Sequence, residues 1–427
     1  MDIENSSEVE KKIYPKFPEA LKVWFKLGCI SFGGPAGQIA TLHTEIVVRR
    51  SWISESEFIR ALQFCMLLPG PEAQQLATYI GWRLHGIRGG IAAGLLFFLP
   101  AAFLLWCLSL LYVAGQQWPL LHAFFYGLKP AVVAIVASAC LRIGRRTITS
   151  SRLAFIALVA LLLLILHIPY PVVVLGCGLL GFLLPPEAGG ADLVATADPT
   201  KSDWRKSFRV ALVIIGIWVL PVLGFFLWLG AVAMPLKIAF FYIRVSLFSF
   251  GGAYAALSYV SLHAVHNWGW VTQDQMIDGL GLAETTPGPL LIALQFVAFL
   301  AAYYTAGNLP PLLSATLGSL LALWSLFLPS FLWIFTFAPH LERIARNRRM
   351  EGALKAIGAV VTAVIAALAF WFAGSVFLKS GTSTFCVSWQ PLIITIFCFL
   401  ALRSTQVEIA LLIVLSGVAG VFLKLVF

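Results

Sequence analysis

The feature that most constrains the fold is a set of long stretches without a single Asp, Glu, Lys or Arg. Five such stretches lie at residues 89–128, 153–186, 210–236, 285–341 and 356–378. Each exceeds the roughly 20 residues that a helix needs to cross the hydrocarbon core of a bilayer. A transmembrane β-barrel would instead alternate polar and apolar residues in short segments. The sequence therefore predicts an all-α polytopic membrane protein.

Composition excludes the soluble classes that 427 residues would otherwise suggest. Only 11% of the chain is charged, whereas soluble domains carry about 25%. The net charge of +10 comes from Lys and Arg in a few short loops, which is typical of cytoplasmic loops and requires no nucleic acid. The seven cysteines form no C-x-x-C pair, and neither a metal-binding spacing nor a nucleophile–base motif stands out. We expect no cofactor and no enzymatic activity.

The chain contains an internal repeat. Two motifs and one cation return 218 residues later: Ser31-Phe32-Gly33-Gly34 as Ser249-Phe250-Gly251-Gly252, Pro69-Gly70-Pro71 as Pro287-Gly288-Pro289, and Lys26 as Arg244. Further along, Leu99-Pro100 matches Leu328-Pro329 at a spacing of 229. We therefore expect an insertion of about ten residues near 307–311 in the second copy. Such a repeat is typical of transporter folds.

Basic residues indicate that the two copies have opposite orientations. The loop at 115–118 has no Lys or Arg, whereas its counterpart contains Arg343, Arg346, Arg348 and Arg349. After the next apolar segment the bias reverses, with Arg142, Arg145, Arg146 and Arg152 in the first copy and only Lys379 in the second. Because cytoplasmic loops carry the excess of Lys and Arg, equivalent loops face opposite sides of the membrane. The sequence predicts two inverted-topology repeats.

An inversion requires an odd number of crossings before the second copy begins. The helix expected at 210–233 has no partner in the first copy and supplies that crossing. The predicted organisation is a cytoplasmic N-terminal segment at 1–19, a first transporter repeat at 20–185, a cytoplasmic linker at 186–209, the inverting helix at 210–233, and a second repeat at 236–427. The start of the chain is charged and lacks the apolar core of a signal peptide.

Each repeat opens with two helices that Gly and Pro interrupt. In the first repeat the breaks fall at 31–35 and 68–71. Pro removes a backbone donor and clashes with the preceding turn, while Gly permits conformations that no helix allows. The broken segments are either kinked spans or re-entrant hairpins, which leaves the number of crossings between about nine and thirteen. The parity, and therefore the inversion, is the same in both cases.

Broken helices at matching points of an inverted repeat indicate a substrate site. Irregular backbone at membrane depth is tolerated only where protein or a water-filled cavity satisfies it, and helix N-termini attract anions. The candidate binding residues are Ser31, Gly33, Gly34, Pro35, Gln38, Pro69, Gly70, Pro71, Gln74, Gln75, Ser249, Gly251, Gly252, Pro287, Gly288, Pro289 and Gln295. Because their polar groups donate hydrogen bonds, we expect a small oxyanion as the substrate.

Four charged residues near the breaks have two interpretations each. Lys26 and Arg244 either attract the anion or extend to the membrane interface. Glu72 and Glu284 either serve as proton sites or partners of Arg and Lys, or cap the adjoining half-helices.

These motifs closely resemble the chromate ion transporter family. The resemblance is carried by residues 31–35 with Gln38, by 67–82, and in the second copy by 250–254 and 279–289. It covers almost the whole chain, as in a two-domain member. It implies export of chromate through the bacterial cytoplasmic membrane, resistance to chromate, and sulfate as a competitor. Ser258 departs from the family pattern, where we would expect Pro.

The energetics agree with an exporter that needs no ATP. Two charges leaving a negative cytoplasm gain roughly 4.6 kcal/mol at 100 mV. A passive anion channel, a carrier of sulfate or another oxyanion such as molybdate, and a homodimeric assembly stay open alternatives. We expect a multi-pass protein with a cytoplasmic N-terminus.

Overall fold

The computed structural model describes residues 15–66, 68–166, 168–184, 204–230, 233–250, 252–340, 348–380, 385–404 and 407–426. These residues form sixteen α-helices and one short β-hairpin. The prediction of an all-α fold is confirmed. The hairpin, in which β1 (Leu378–Ser380) pairs antiparallel with β2 (Phe385–Val387), was not expected from the sequence.

The first half of the chain contributes seven helices. They are α1 (Phe17–Ile30), α2 (Gly34–His43), α3 (Glu55–Cys65), α4 (Glu72–Ala114), α5 (Pro119–Thr147), α6 (Ser151–Ile165) and α7 (Tyr170–Leu183). A π-helical turn, Thr44–Val48, extends α2. The helix α4 is non-helical at His85 and Gly86, where it kinks.

The second half begins after α8 (Trp204–Leu229), which starts six residues before the inverting helix expected at 210–233. The helices that follow are α9 (Met234–Phe248), α10 (Ala253–Ser261), α11 (Gln273–Thr285), α12 (Ala293–Tyr304), α13 (Pro311–Phe337), α14 (Arg348–Phe377), α15 (Trp389–Ser404) and α16 (Ile409–Val426). A π-helical turn, Leu262–Asn267, extends α10, and a 3-10 turn, Leu290–Ile292, precedes α12. Most of the linker expected at 186–209 lies outside the described residues.

The order of elements repeats, in agreement with the sequence. The pairs α1 and α9, α2 and α10, and α3 and α11 occur at the 218-residue spacing, and so do the two π-helical turns. At the kink of α4 the second half has instead a loop, 305–310, between α12 and α13. The extra residues of that loop explain why the spacing changes from 218 to 229. The opposite orientation of the two halves in a membrane stays a prediction.

The two halves share their hydrophobic core. Phe98, Ala102 and Leu105 of α4 lie in a core cluster built mainly of second-half residues. Phe331 and Phe335 of α13 lie in a cluster built mainly of first-half residues. Each long helix therefore packs its middle or end into the opposite half. In addition, α8 packs against α13, and α5 packs against α14, α15 and α16.

Six of the described helices are long and apolar enough to cross a membrane. They are α4, α5, α8, α13 with its 3-10 extension, α14 and α16, and four shorter apolar helices accompany them: α6, α7, α12 with its preceding turn, and α15. Many leucine, isoleucine and phenylalanine side chains on these helices are exposed, for example Phe103, Phe155 and Leu227. Apolar side chains facing outward are what a bilayer requires of a protein surface.

Candidate functional site

The four broken segments meet in two pairs, and each pair joins the two halves. The Gly288 N–H donates to the Ser31 carbonyl at 2.8 Å, and the Gly70 N–H donates to the Ser249 carbonyl at 3.1 Å. We call these contacts the Ser31–Gly288 junction and the Ser249–Gly70 junction. Ser31 and Ser249 are repeat equivalents, as are Gly70 and Gly288. The two junctions are therefore the same contact made twice, with the halves exchanged.

Glycine is required at the breaks by both conformation and space. Gly70 has φ 127° and Gly288 has φ 95°, values that other residues rarely adopt. A methyl group on Gly70 would lie 2.7 Å from Gln75 Nε2 and 2.9 Å from Ser330 Oγ. A methyl group on Gly288 would lie 2.6 Å from Ala101 Cβ. At Gly70, Gln75 of the adjoining helix and Ser330 of α13 fill the space that a side chain would need. At Gly288, Ala101 of α4 fills it.

The other breaks begin the short helices. Gly33 at φ 86° precedes α2, whose first two residues are Gly34 and Pro35, and Gly252 at φ 89° precedes α10. Pro71 and Pro289 are the residues immediately before α4 and the 3-10 turn at Leu290–Ile292. Pro69 and Pro287 flank the same two breaks on their other sides. Gly251 lies outside the described residues.

Two of the four candidate glutamines donate to backbone carbonyls at the breaks. The side-chain amides of Gln38, Gln75 and Gln295 donate to the carbonyls of Gly288, Pro69 and Ala102, and that of Gln74 donates to the Thr78 hydroxyl. All four glutamines are buried. A buried carbonyl without a partner would be costly, so the Gln38 and Gln75 amides make the broken segments compatible with the protein interior. The amides of Gln74 and Gln295 bond partners inside α4 instead. Each amide keeps a second N–H.

Several buried polar atoms near the breaks have no hydrogen-bond partner among the described residues. They are Ser31 Oγ, Gln74 Oε1, Gln75 Oε1, Gln295 Oε1 and Ser330 Oγ. By contrast, the hydroxyl of Ser249, the repeat equivalent of Ser31, donates to the Ser246 carbonyl at 3.0 Å. Unpartnered buried polar groups are rare and indicate a site for water, an ion or a ligand.

The side chains of both candidate carboxylates, Glu72 of α4 and Glu284 of α11, approach the start of α10. A methyl group on Gly252 would be 3.6 Å from Glu72 Oε1. Glu284 Oε1 accepts a hydrogen bond from the Tyr254 hydroxyl at 2.8 Å. Arg146 and Arg142, near the end of α5, attract Glu72 and Glu284 respectively. The first break of the second half is thus surrounded by acidic groups, whereas the glutamine Gln38 stands at the first break of the first half.

The two candidate cations differ in their surroundings. Lys26 Nζ donates to Glu45 Oε1 at 2.9 Å. Glu45 also forms a salt bridge with Arg49, and its Oε2 lies 3.6 Å from Arg50 Nη2. A carboxylate therefore neutralises Lys26 in this conformation. Arg244 is an exposed residue of α9.

The chromate transporter family model matches residues 19–182 and 236–421. This chain belongs to the chromate transporter family. A chromate transport protein of Pseudomonas aeruginosa is 32% identical over 82% of this chain and 80% of its own length. A probable chromate transport protein of Synechococcus elongatus is 28% identical over 80% and 81%, and a chromate transport protein of Cupriavidus metallidurans is 26% identical over 84% and 82%. No solved structure matches the chain significantly.

In this member of the chromate transporter family, sequence reasoning missed two residues at the junctions. Ser330 faces Gly70, and Tyr254 bonds Glu284. Ser330 directly follows the repeated Leu328-Pro329 pair, so the repeat spacing pointed to its neighbourhood. Tyr254 follows the repeated Gly-Gly motif by two residues, but nothing in the repeat indicates a carboxylate partner because its equivalent is Ala36.

Proposed function

We propose that the protein is a secondary transporter that exports chromate across the bacterial cytoplasmic membrane and thereby confers chromate resistance. It works by alternating access around a site formed by the two junctions and is not an enzyme. Its halves are inverted repeats, and its N-terminus is cytoplasmic. The observation that carries the proposal is the pair of equivalent backbone contacts, Gly288 to Ser31 and Gly70 to Ser249. The naming of three relatives as chromate transport proteins supports chromate as the substrate.

The junctions suit alternating access because they are equivalent but separate. A transporter built from inverted repeats has two similar states, open to one side or the other, around a fixed site. One state can open at the Ser31–Gly288 junction and the other at the Ser249–Gly70 junction. Each opening breaks one backbone hydrogen bond between the halves, a net cost on the order of 1 kcal/mol. Such states would be close in free energy.

An oxyanion suits the groups that the junctions offer. The first turns of α2, α4 and α10 have N–H groups without partners inside their helices, and these helix ends favour negative charge. The hydroxyl of Ser31 is buried without a partner among the described residues. A tetrahedral dianion such as chromate presents four acceptor oxygens to these donors. Sulfate has the same shape and charge, and we expect it to compete.

The membrane potential is sufficient to drive export. Two negative charges leaving a cytoplasm that is 100 mV negative relative to the outside gain roughly 4.6 kcal/mol, which corresponds to a gradient on the order of a thousandfold. Glu72 and Glu284 are the carboxylates that would couple export to proton movement.

The test is chromate flux into or out of liposomes under an imposed potential, with sulfate as competitor. Gly34→Ala is the informative variant, because Gly34 has φ 65° and a methyl group added there would have no other atom within 4 Å. Gly307→Ala is the matched control, since Gly307 has φ 62° and equal space but lies in the loop between α12 and α13. Both variants therefore place an alanine at a similar positive φ without a steric contact. We expect saturable, potential-driven flux that falls at least tenfold in Gly34→Ala and stays normal in Gly307→Ala.

Three outcomes would contradict parts of the proposal. Equal loss in the two variants would show that strain alone, and not the site, is responsible. Flux without saturation or counterflow would identify a channel. Absence of chromate movement under any gradient would remove chromate export as the function.

A further inference from the structure

Ser330 breaks the equivalence of the two junctions. It lies on α13, and its Oγ would be 2.9 Å from a methyl group on Gly70. The equivalent position on α4, 229 residues earlier, is Ala101, which faces Gly288 in the same way. The backbone of the two junctions is therefore duplicated, while the long opposing helix presents a hydroxyl to the glycine at only one of them.

The Ser330 hydroxyl has no partner among the described residues, although it is 0% exposed. Serines in helices usually satisfy their hydroxyl by donating to the carbonyl four residues earlier. Ser258 and Ser261 of this protein do so, with the carbonyls of Tyr254 and Leu257. Gln75 Nε2 approaches the same point above Gly70, and Gln75 Oε1 is also buried without a partner. Two polar side chains thus converge on one glycine with hydrogen-bonding capacity unused.

We infer that the Ser330 hydroxyl, assisted by the Gln75 amide, donates hydrogen bonds to the transported oxyanion at the Ser249–Gly70 junction. This inference rests on the proposed function, because it assigns a substrate contact within the same site. It makes Ser330 a substrate-binding residue at one junction only. Since both side chains are buried, the anion reaches them in the conformation in which this junction opens.

The charges around this junction are compatible with an anion. Glu72 and Glu284 lie on the side of Gly252 and Tyr254, where Arg146 and Arg142 of α5 attract them respectively. Ser330 and Gln75 approach Gly70 itself and are neutral. A neutral donor contributes no charge repulsion, and a hydrogen bond to a charged group is stronger than one between neutral groups.

Ser330→Ala tests the inference, and Ser325→Ala is its matched control. Ser325 lies on the same helix, is also 0% exposed, and also has no partner among the described residues. Two measurements are made on the full-length protein: the KM for chromate in liposomes, and the shift of the thermal midpoint that chromate causes in detergent. We expect Ser330→Ala to raise KM about tenfold or more and to reduce the chromate-induced shift. Ser325→Ala should resemble the wild type in both.

The midpoint without chromate separates binding from folding. Removing a buried hydroxyl that has no partner does not destabilise a protein, so Ser330→Ala should keep the wild-type midpoint. A midpoint lowered by several degrees would show that the hydroxyl has a structural partner and would overturn the inference. So would equal KM values for Ser330→Ala and Ser325→Ala. If the wild type itself moves no chromate and shows no chromate-induced shift, the proposed function fails, whereas a normal wild type with an unaffected Ser330→Ala removes this inference alone.

Discussion

The two junctions have nearly the same backbone and clearly different side chains. At both, the N–H of a Pro-Gly-Pro glycine donates to the carbonyl of a serine in the other half. The polar residues around them are not repeated: Gln38 is equivalent to Ala256, Glu72 to Leu290, Gln75 to Ala293, Ser330 to Ala101, and Glu284 to Met66. The geometry of the breaks is therefore repeated, whereas each of these polar side chains is present in one half only.

This difference has a mechanistic consequence. In the proposed alternating access the two equivalent backbone contacts open in turn, and the Gln38 amide adds a bond across the halves at the Ser31–Gly288 junction only. Two equivalent sets of side chains would instead form two binding sites per chain, with one ion held at each junction. Unrepeated side chains around repeated backbone therefore fit one substrate site per chain.

The largest expected effect comes from filling the space at the junctions. We expect Gly288→Ala to lower the free energy of unfolding by about 4 kcal/mol, because it combines a positive φ with a contact below 3 Å to the fixed Ala101 Cβ. Gly70→Ala should cost about 3 kcal/mol, because the side-chain ends of Gln75 and Ser330 that it meets can move aside. Gly307→Ala, with a positive φ and open space, should cost only about 1 kcal/mol. The measurement is chemical or thermal unfolding in detergent, together with the amount of protein in the membrane. A larger loss at Gly70 than at Gly288 would show that the Gln75 and Ser330 side chains are held rigidly at their junction, against this expectation.

Much of this architecture was predictable from the sequence. The breaks at residues 31–33 and 68–71 follow from Gly and Pro, whose backbone effects are local and strong. The repeat of 218 residues predicted the paired elements. The start of α8 at Trp204 was missed because Arg205, Lys206 and Arg209 interrupt the apolar run, although charged residues are normal in a helical turn outside the membrane core.

The pairing of the breaks across the halves could not be predicted. The sequence shows which residues interrupt helices but not which carbonyl accepts the Gly70 N–H, because that depends on the packing of α4 against α12 and α13. One N–H of Gln38 and one of Gln75 donate to the carbonyls of Gly288 and Pro69, contacts that the sequence did not indicate. Such nonlocal contacts leave no periodic signal in a single sequence.

The second largest effect is expected at Gln38, whose amide links the first half to the Gly288 carbonyl. Gln38→Leu should lower the free energy of unfolding by about 2 kcal/mol, since it removes a buried donor from an acceptor that stays buried. Gln38→Glu should cost more, because an ionised carboxylate would face that carbonyl. Gln63→Leu, at an exposed position of α3, serves as the control and should change stability by less than about 0.5 kcal/mol. Equal stability of Gln38→Leu and wild type would show that the amide does not stabilise the junction.

The third prediction concerns Glu284, whose equivalent in the first half is Met66. Glu284→Gln should keep the fold, since the amide oxygen still accepts from Tyr254, and should reduce chromate flux driven by a pH gradient about tenfold or more while counterflow continues. Asp278→Asn is the control, because Asp278 lies on the same helix and accepts from Tyr112 at 2.9 Å but is not at a junction. A pH-gradient response that survives Glu284→Gln, or is lost equally in Asp278→Asn, would remove Glu284 from coupling.

The smallest effect is expected at Glu45, where the halves differ most in charge. Lys26, Arg49 and Arg50 surround Glu45, whereas its repeat equivalent, His263, packs against aromatic rings. Because these three cations are partly exposed, Glu45→Gln should lower the free energy of unfolding by only about 1 kcal/mol at neutral pH.

The pH dependence of that difference tests its electrostatic origin. Burial opposes ionisation of Glu45, but the hydrogen bonds and charges of Lys26 and Arg49 outweigh burial and hold the pKa of Glu45 below its ordinary value of 4.5. A lowered pKa stabilises the folded state above the ordinary value, and this stabilisation is lost as the pH falls through the folded-state pKa. The wild type should therefore exceed Glu45→Gln in stability at pH 7 and converge with it well below pH 4.5. A difference that persists unchanged in acid would mean that Glu45 stabilises this half by packing, and the contrast with His263 would then be one of shape instead of charge.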